Sequence, residues 1–345
     1  FCFSSFGVIL ILGGPRYATI EVEIYRQAVH LFNLPMAAAL AIVQIIFTFL
    51  FMWTYTGIQR RATVTLYPES RRSTLVIANT AKKRLMLWGT ITLMLVLLGS
   101  PLLALVIQSF SGESGFSLVF YRALFENTAQ SLFYIPPVEA VGYSLLFALI
   151  TLVLSVAMGL FAATYLSGPK STITSLLDPL FMLPLATSAV TLGFGFIIAL
   201  DRPPLNLRTS LLLVPLAHSL VAYPFVVRSV LPALRSLPVS LKESASLLGA
   251  SPGRVWWKVV VPIVRKAILV GAIFAFTISI GEFGATVFVA RPQTSTMPLA
   301  IFRFLGQPGA LNYGQAMAMS TILMLVTAAG FMFLDKIRLR QEGEF

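Results

Sequence analysis

The chain has 345 residues, 57% of them hydrophobic and only 11% charged, with a mean hydropathy of +0.86. Soluble globular domains carry about 25% charged residues, so a soluble enzyme is excluded and an all-α integral membrane protein is expected. The formal charge is +12, from 25 Lys and Arg against 13 Asp and Glu, and the lone cysteine, Cys2, excludes an internal disulfide framework and a Cys-cluster metal site.

A spanning helix needs about 20 mostly apolar residues. The opening run, 1–12, falls short of that and lacks both the basic n-region and the small-residue cleavage site of a signal peptide. It reads as the outer end of a helix that begins before Phe1. Seven full spans are expected at 36–56, 85–109, 140–166, 176–200, 211–231, 267–290 and 314–334. The segment 57–84 holds Arg60, Arg61, Arg71, Arg72, Lys82, Lys83 and Arg84, while 232–266 holds Arg235, Lys242, Arg254, Lys258, Arg265 and Lys266. With Lys170 and the tail residues Lys336, Arg338 and Arg340, seventeen of the 25 cations fall on one face, against seven on the other. By the positive-inside rule that face, with the C-terminus, is cytoplasmic. Cations confined to short loops between apolar runs set orientation in the lipid bilayer, which argues against a nucleic-acid partner.

A shift of 277 places Phe6-Gly7 on Phe283-Gly284, Pro15 on Pro292, Thr19 on Thr296, Ile24 on Ile301 and Arg26 on Arg303. The same shift matches Ala39, Ala41 and Ile45 with Ala316, Ala318 and Ile322. Loop residues agree as well as apolar ones, so a parallel internal repeat is expected. Residues 1–56 then form the end of a first half, 57–84 a basic cytoplasmic linker, 85–335 a six-span second half, and 336–345 a tail.

Within the loop 232–266, Pro238 suits a helix start and Gly249 the left-handed residue after its end. Ser251-Pro252 restarts a helix as N-cap and first position, and Pro262 interrupts or bends the helix beyond it. Two short helices at the membrane surface are expected, with Trp256 and Trp257 at headgroup level.

Glu243-Ser244-Ala245, three residues, Gly249, nine residues, Val259, one residue, Val261 and Pro262 resemble the EAA loop of ABC importer permeases. That pattern reads Glu-Ala-Ala, three residues, Gly, nine residues, Ile, one residue, Leu and Pro. The spacing agrees throughout, with Ser244 and the two valines as departures. The resemblance implies a type I, MetI-like permease fold in a bacterial inner membrane, crossed several times. It implies that the first short helix docks on an ATP-binding cassette subunit, present in two copies, and that an extracytoplasmic substrate-binding protein delivers the solute. The two-half arrangement, with Gly281-Glu282-Phe283-Gly284 closing the second half, resembles the iron(III) and thiamine permeases, which implies ferric iron or thiamine as cargo. A first coupling loop is then expected upstream of Phe1.

Ionisable residues inside spans are functional candidates. Glu282 falls about two thirds of the way along its expected helix, between Gly281 and Gly284, and is a candidate for the path of a cationic solute; bonding within the bundle is the alternative. A rival reading makes Glu282 the coupling site of an ion-gradient-driven secondary transporter. Arg228 and Asp178 lie near cytoplasmic helix ends, and Pro184, Pro215, Pro224, Gly193 and Gly195 mark kinks or breaks. His30 and His218 are solitary in sequence, and Gly193-Phe-Gly195 lacks the lysine of a phosphate loop. No metal, cofactor, ATP site or catalytic group is expected, so chemical energy comes from a partner.

Overall fold

A computed structural model of the chain describes residues 6–13, 17–62, 79–112, 115–126, 136–168, 171–200 and 207–340. Apolar runs in lipid must satisfy their own backbone groups, which they do as helices. In chain order the main ones are α1 (Ile20–Tyr25), α2 (Leu34–Ala62), α3 (Ala81–Phe110), α4 (Glu139–Leu166), α5 (Thr172–Ala186) and α6 (Ala189–Leu200). There follow α7 (Leu213–Arg235), α8 (Val239–Leu247), α9 (Pro252–Gly281), α10 (Thr286–Val289), α11 (Met297–Leu305) and α12 (Ala310–Arg340). Among the described residues six helices (α2, α3, α4, α7, α9 and α12) are long and apolar enough to cross a membrane, and the bent pair α5–α6 makes a seventh if counted as one span. The strands there are two two-residue segments, Ser111–Gly112 and Gly115–Phe116, paired antiparallel.

Two expected spans are broken. Residues 176–200 bend by 104° between α5 and α6; Pro179 and Pro184 inside α5 each remove a backbone donor. The span expected over 267–290 ends at Gly281, where Glu282 takes an extended conformation (φ −73°, ψ 124°). Of the expected linker 57–84, residues 57–62 are helical in α2 and 81–84 in α3. Its residues 63–78, with Arg71 and Arg72, lie outside the described residues, as do Ser5, Pro15, Arg16, Lys170 and Arg202. Short helices, α1 and α11, precede α2 and α12, and α11 buries Met297, Leu299, Ala300 and Phe304.

The core forms where α4, α7 and α9 cross closely. A Cβ on Gly159 of α4 would come 2.6 Å from Val226 Cβ of α7, and one on Gly271 of α9 would come 3.0 Å from Val226 Cα. Glycine at both positions lets three backbones converge on one valine. Around it Ala162, Tyr223, Val230, Leu234, Val264 and Ala275 are buried together.

Elements recur at the 277-residue offset. Residues 20–25 of α1 map onto 297–302 within α11, and 34–62 of α2 onto 311–339 within α12. The offset partners Phe6 and Phe283 stack on one another, with ring centroids 5.5 Å apart and an interplanar angle of 19°. Phe32 and Gly309, also offset partners, both have positive φ, 51° and 117°.

Candidate functional site: an exposed helix and two broken helices

Helix α8 starts after Pro238 as its N-cap and buries none of its residues. It ends in a left-handed glycine, Gly249 at φ 84°. The Gly249 N–H donates to the Ser246 carbonyl (3.0 Å) and the Ala250 N–H to the Ala245 carbonyl (3.1 Å), the paired bonds of a Schellman ending. This explains the spacing of Ala245 and Gly249: one provides the carbonyl, the other the backbone turn. Glu243 and Ser244 are exposed, and Glu243 lines a shallow hollow with Lys242, Ser246 and Leu247. Leu247 and Leu248 are 88% and 89% exposed. Sequence reasoning passes over this pair; two adjacent leucines ahead of the turn glycine, outside any span, are its signal.

The second short surface helix expected here is instead the beginning of α9, which runs unbroken from Pro252 to Gly281. Ser251 and Pro252 take the N-cap and first helical positions. Pro262 does not break the helix, because a π turn over Trp256–Val260 absorbs its missing donor, with the Val261 N–H bonding to the Trp256 carbonyl. Val259 and Val261 are half-buried and Pro262 is exposed, while Val260 and Val264 join the core containing Val230 and Leu234 of α7. Trp257 is exposed and Trp256 half-buried. At the same end Arg235 Nη2 donates to the Leu166 carbonyl at 3.2 Å and lies 4.0 Å from Asp178 Oδ2. Asp178 is thus inside α5, facing a cation, and not at a helix start. The exposed helix α8 is therefore joined to an end of the span bundle that is held by packing and by these polar contacts.

Glu282 lies in the break after α9, not in the interior of a helix. Its Oε1 accepts from the Ala285 N–H (3.0 Å) and its Oε2 from the Thr286 N–H (3.1 Å), so the carboxylate caps α10, as the positive end of a helix favours. Thr286 Oγ1 also donates within reach of Glu282 Oε2 at 3.0 Å. His218 of α7, solitary in sequence, is fully buried against this cap. Its Nε2 lies 2.7 Å from Thr286 Oγ1 and its Nδ1 2.8 Å from Ser279 Oγ, with Glu282 Oε2 at 3.4 Å. Among the described residues no three His, Cys, Asp or Glu side chains gather to hold a metal.

The two breaks pack against each other. A Cβ on Gly193 of α6 would lie 2.7 Å from Ala285 Cα, and one on Gly284 would lie 3.2 Å from Ala189 Cβ. Gly281, expected to allow close approach, faces open space instead.

Residues 155–339 match the family described as binding-protein-dependent transport system inner membrane component. The molybdenum transport system permease protein ModB of Haemophilus influenzae is 29% identical over 201 residues, 54% of this chain and 88% of the relative. ModB of Mycobacterium tuberculosis is 32% identical over 190 residues, 51% of this chain and 70% of the relative. PhnV of Salmonella paratyphi A, named for a 2-aminoethylphosphonate transport system, is 29% identical over 167 residues, 48% of this chain and 61% of the relative. In fold the chain is similar to a bacterial ABC transporter involved in the import of the acidic polysaccharide alginate, with TM-score 0.59 and 20% identity, covering 74% of this chain and 94% of that one. The exposed Schellman-capped helix, the multi-span bundle and a family match over more than half of its length agree: the chain belongs to the binding-protein-dependent inner membrane permeases of ABC importers.

Proposed function

We propose that the chain is the membrane-spanning, non-hydrolysing subunit of an ABC importer for a small cationic solute, with ferric iron or thiamine as the favoured cargo. Two copies of an ATP-binding subunit drive it, and an extracytoplasmic binding protein loads it. The loop end, with the C-terminus, faces the cytoplasm. Residues 1–62 belong to one permease half and 81–340 to the other, related by the 277-residue offset.

One observation carries this reading: α8 protrudes with no buried residue yet is joined through Gly249 to α9, whose base is packed into the span core. Force on α8 reaches the bundle as a rigid displacement, since packed elements shift as units. Glu243, Ser244, Ala245 and Gly249 form the docking helix and its turn. Val259, Val261 and Pro262 form the base of α9. Glu282, Gly281 and Gly284 shape the break on the path side.

The test is uptake by Gly249→Pro and Glu243→Lys variants. Proline cannot adopt φ 84° and lacks the N–H that bonds Ser246, so the turn is lost; lysine reverses the charge on the docking face. Both variants should insert in the membrane at normal levels and lose ATP-dependent uptake. Normal transport in either would overturn the assignment.

A further inference from the structure

A second polar cluster lies apart from the Glu282 cap. Glu21 of α1 is 0% exposed. Its Oε1 accepts from Gln44 Nε2 of α2 at 2.9 Å, and Gln44 Oε1 accepts from Thr191 Oγ1 of α6 at 2.6 Å. The chain of bonds ends on Glu21 Oε2, which has no hydrogen-bond partner at bonding distance among the described residues; Ser188, whose hydroxyl oxygen accepts the Val190 N–H at 3.1 Å, keeps an O–H that can turn toward Glu21.

Position makes this cluster more than a packing detail. Gln44 is ten residues into α2, about 15 Å along its axis, which is near the middle of a hydrocarbon layer about 30 Å thick. Thr191 follows directly on the α5–α6 break. Glu21 and Gln44 lie on one side of the 277-residue offset and Thr191 on the other, so relative movement of the two sides parts the cluster. Four buried side-chain oxygens among the described residues have no partner. Three of them, Thr19 Oγ1, Glu21 Oε2 and Thr296 Oγ1, lie on the offset-related turns that begin α1 and α11. Buried polar atoms are normally satisfied, so orphans gathered on two matching turns call for a partner.

We propose that Glu21, held by Gln44 and Thr191, is an intramembrane subsite that receives the positively charged or hydrogen-bond-donating group of the passing solute. The proposal rests on the importer reading and adds where the solute is met. A carboxylate in a dry interior with one unpartnered oxygen is stabilised by a cation or a donor, or else takes up a proton, and in its ionised form it repels a bare oxyanion. The Glu282 carboxylate cannot serve the same way in this conformation, because both of its oxygens already accept backbone N–H groups.

The experiment uses the full-length transporter with its ATPase subunit and binding protein in proteoliposomes, with ferric ion, thiamine and molybdate as probes. A cation should be carried. Glu21→Gln should lower its uptake at least tenfold per assembled transporter, and Glu21→Asp should retain more uptake than Glu21→Gln. A merely bracing role predicts the reverse order, since glutamine keeps the length and the bond to Gln44 while aspartate is shorter. In the unmutated protein, labelling of Glu21 by a hydrophobic carbodiimide, read by mass spectrometry, should be slowed several-fold by the carried cation. Carriage of molybdate alone or of no cation, uptake by Glu21→Gln at the normal rate, the reversed order, or unprotected labelling would each overturn the proposal. Wild-type uptake that does not require ATP would instead overturn the importer reading.

Discussion

Phe32 and Gly309, at offset positions, both have positive φ, and only the glycine is suited to it. A left-handed conformation costs a non-glycine residue about 1–2 kcal/mol, whereas glycine costs about 0.5–1 kcal/mol in unfolded-chain entropy. Phe32→Gly should therefore leave thermal stability unchanged or slightly raised, and Gly309→Ala, forced to φ 117°, should cost about 1–2 kcal/mol. Melting in detergent would show the opposite order if the turn were not under strain. Phe32 is 79% exposed, so its ring adds no packing to offset the strain. Glu282→Ala removes the acceptor of two backbone N–H groups and the partner of a buried histidine, and should cost roughly 2–3 kcal/mol by the same measurement. Residue roles set by neighbours in sequence were legible: Gly249, Ser251 and Pro252 follow local rules of helix ends. His218 was not, because its partners Ser279 and Thr286 are 61 and 68 residues away, and only packing brings them together.

At the scale of elements, hydropathy located every span found among the described residues, but two of the seven expected are interrupted at places that hydropathy does not mark. Breaks depend on what can satisfy the freed backbone groups; here Glu282 does so for α10. Gly193 and Gly284 then let the two breaks touch. Gly193→Val should prevent stable assembly, because its Cβ would meet the Ala285 backbone at 2.7 Å, while Gly281→Ala, with nothing within 4 Å, should be tolerated. Equal membrane yields of the two variants would contradict that packing. On α8, replacing Leu247 and Leu248 together by Glu should leave the melting temperature almost unchanged, since both are exposed. Co-purification with the ATPase subunit should fall at least tenfold, as expected when an apolar anchor is lost; undiminished binding would place the docking contact elsewhere. The base of α9 departs from expectation because proline in a helix usually interrupts it, and no sequence rule announces that a π turn will absorb it.

At the scale of the molecule, the offset of 277 organises the fold. It aligns α1 with α11 and α2 with α12, and it brings Phe6 onto Phe283 at 5.5 Å. Offset partners in contact are what a pseudo-two-fold axis between two parallel halves would produce. The offset is legible in the sequence because loop residues match along with apolar ones. The seam cluster could not, since Glu21 has no counterpart acid at position 298, which is proline, and Gln44 and Thr191 are 147 residues apart. The relatives named for molybdenum and 2-aminoethylphosphonate share the family without fixing the cargo. The source of energy is the central question: α8 is exposed, as docking to an ATP-hydrolysing partner would require, and the Glu282 carboxylate is engaged in capping α10 instead of being free to bind a driving ion. The direct measurement is solute uptake into proteoliposomes containing the full-length permease and its ATPase subunit, with binding protein outside and nucleotide inside. Uptake should require hydrolysable ATP and persist when ionophores collapse the proton and sodium gradients. Uptake that continues without ATP and vanishes with the gradients would contradict the account and favour a secondary transporter.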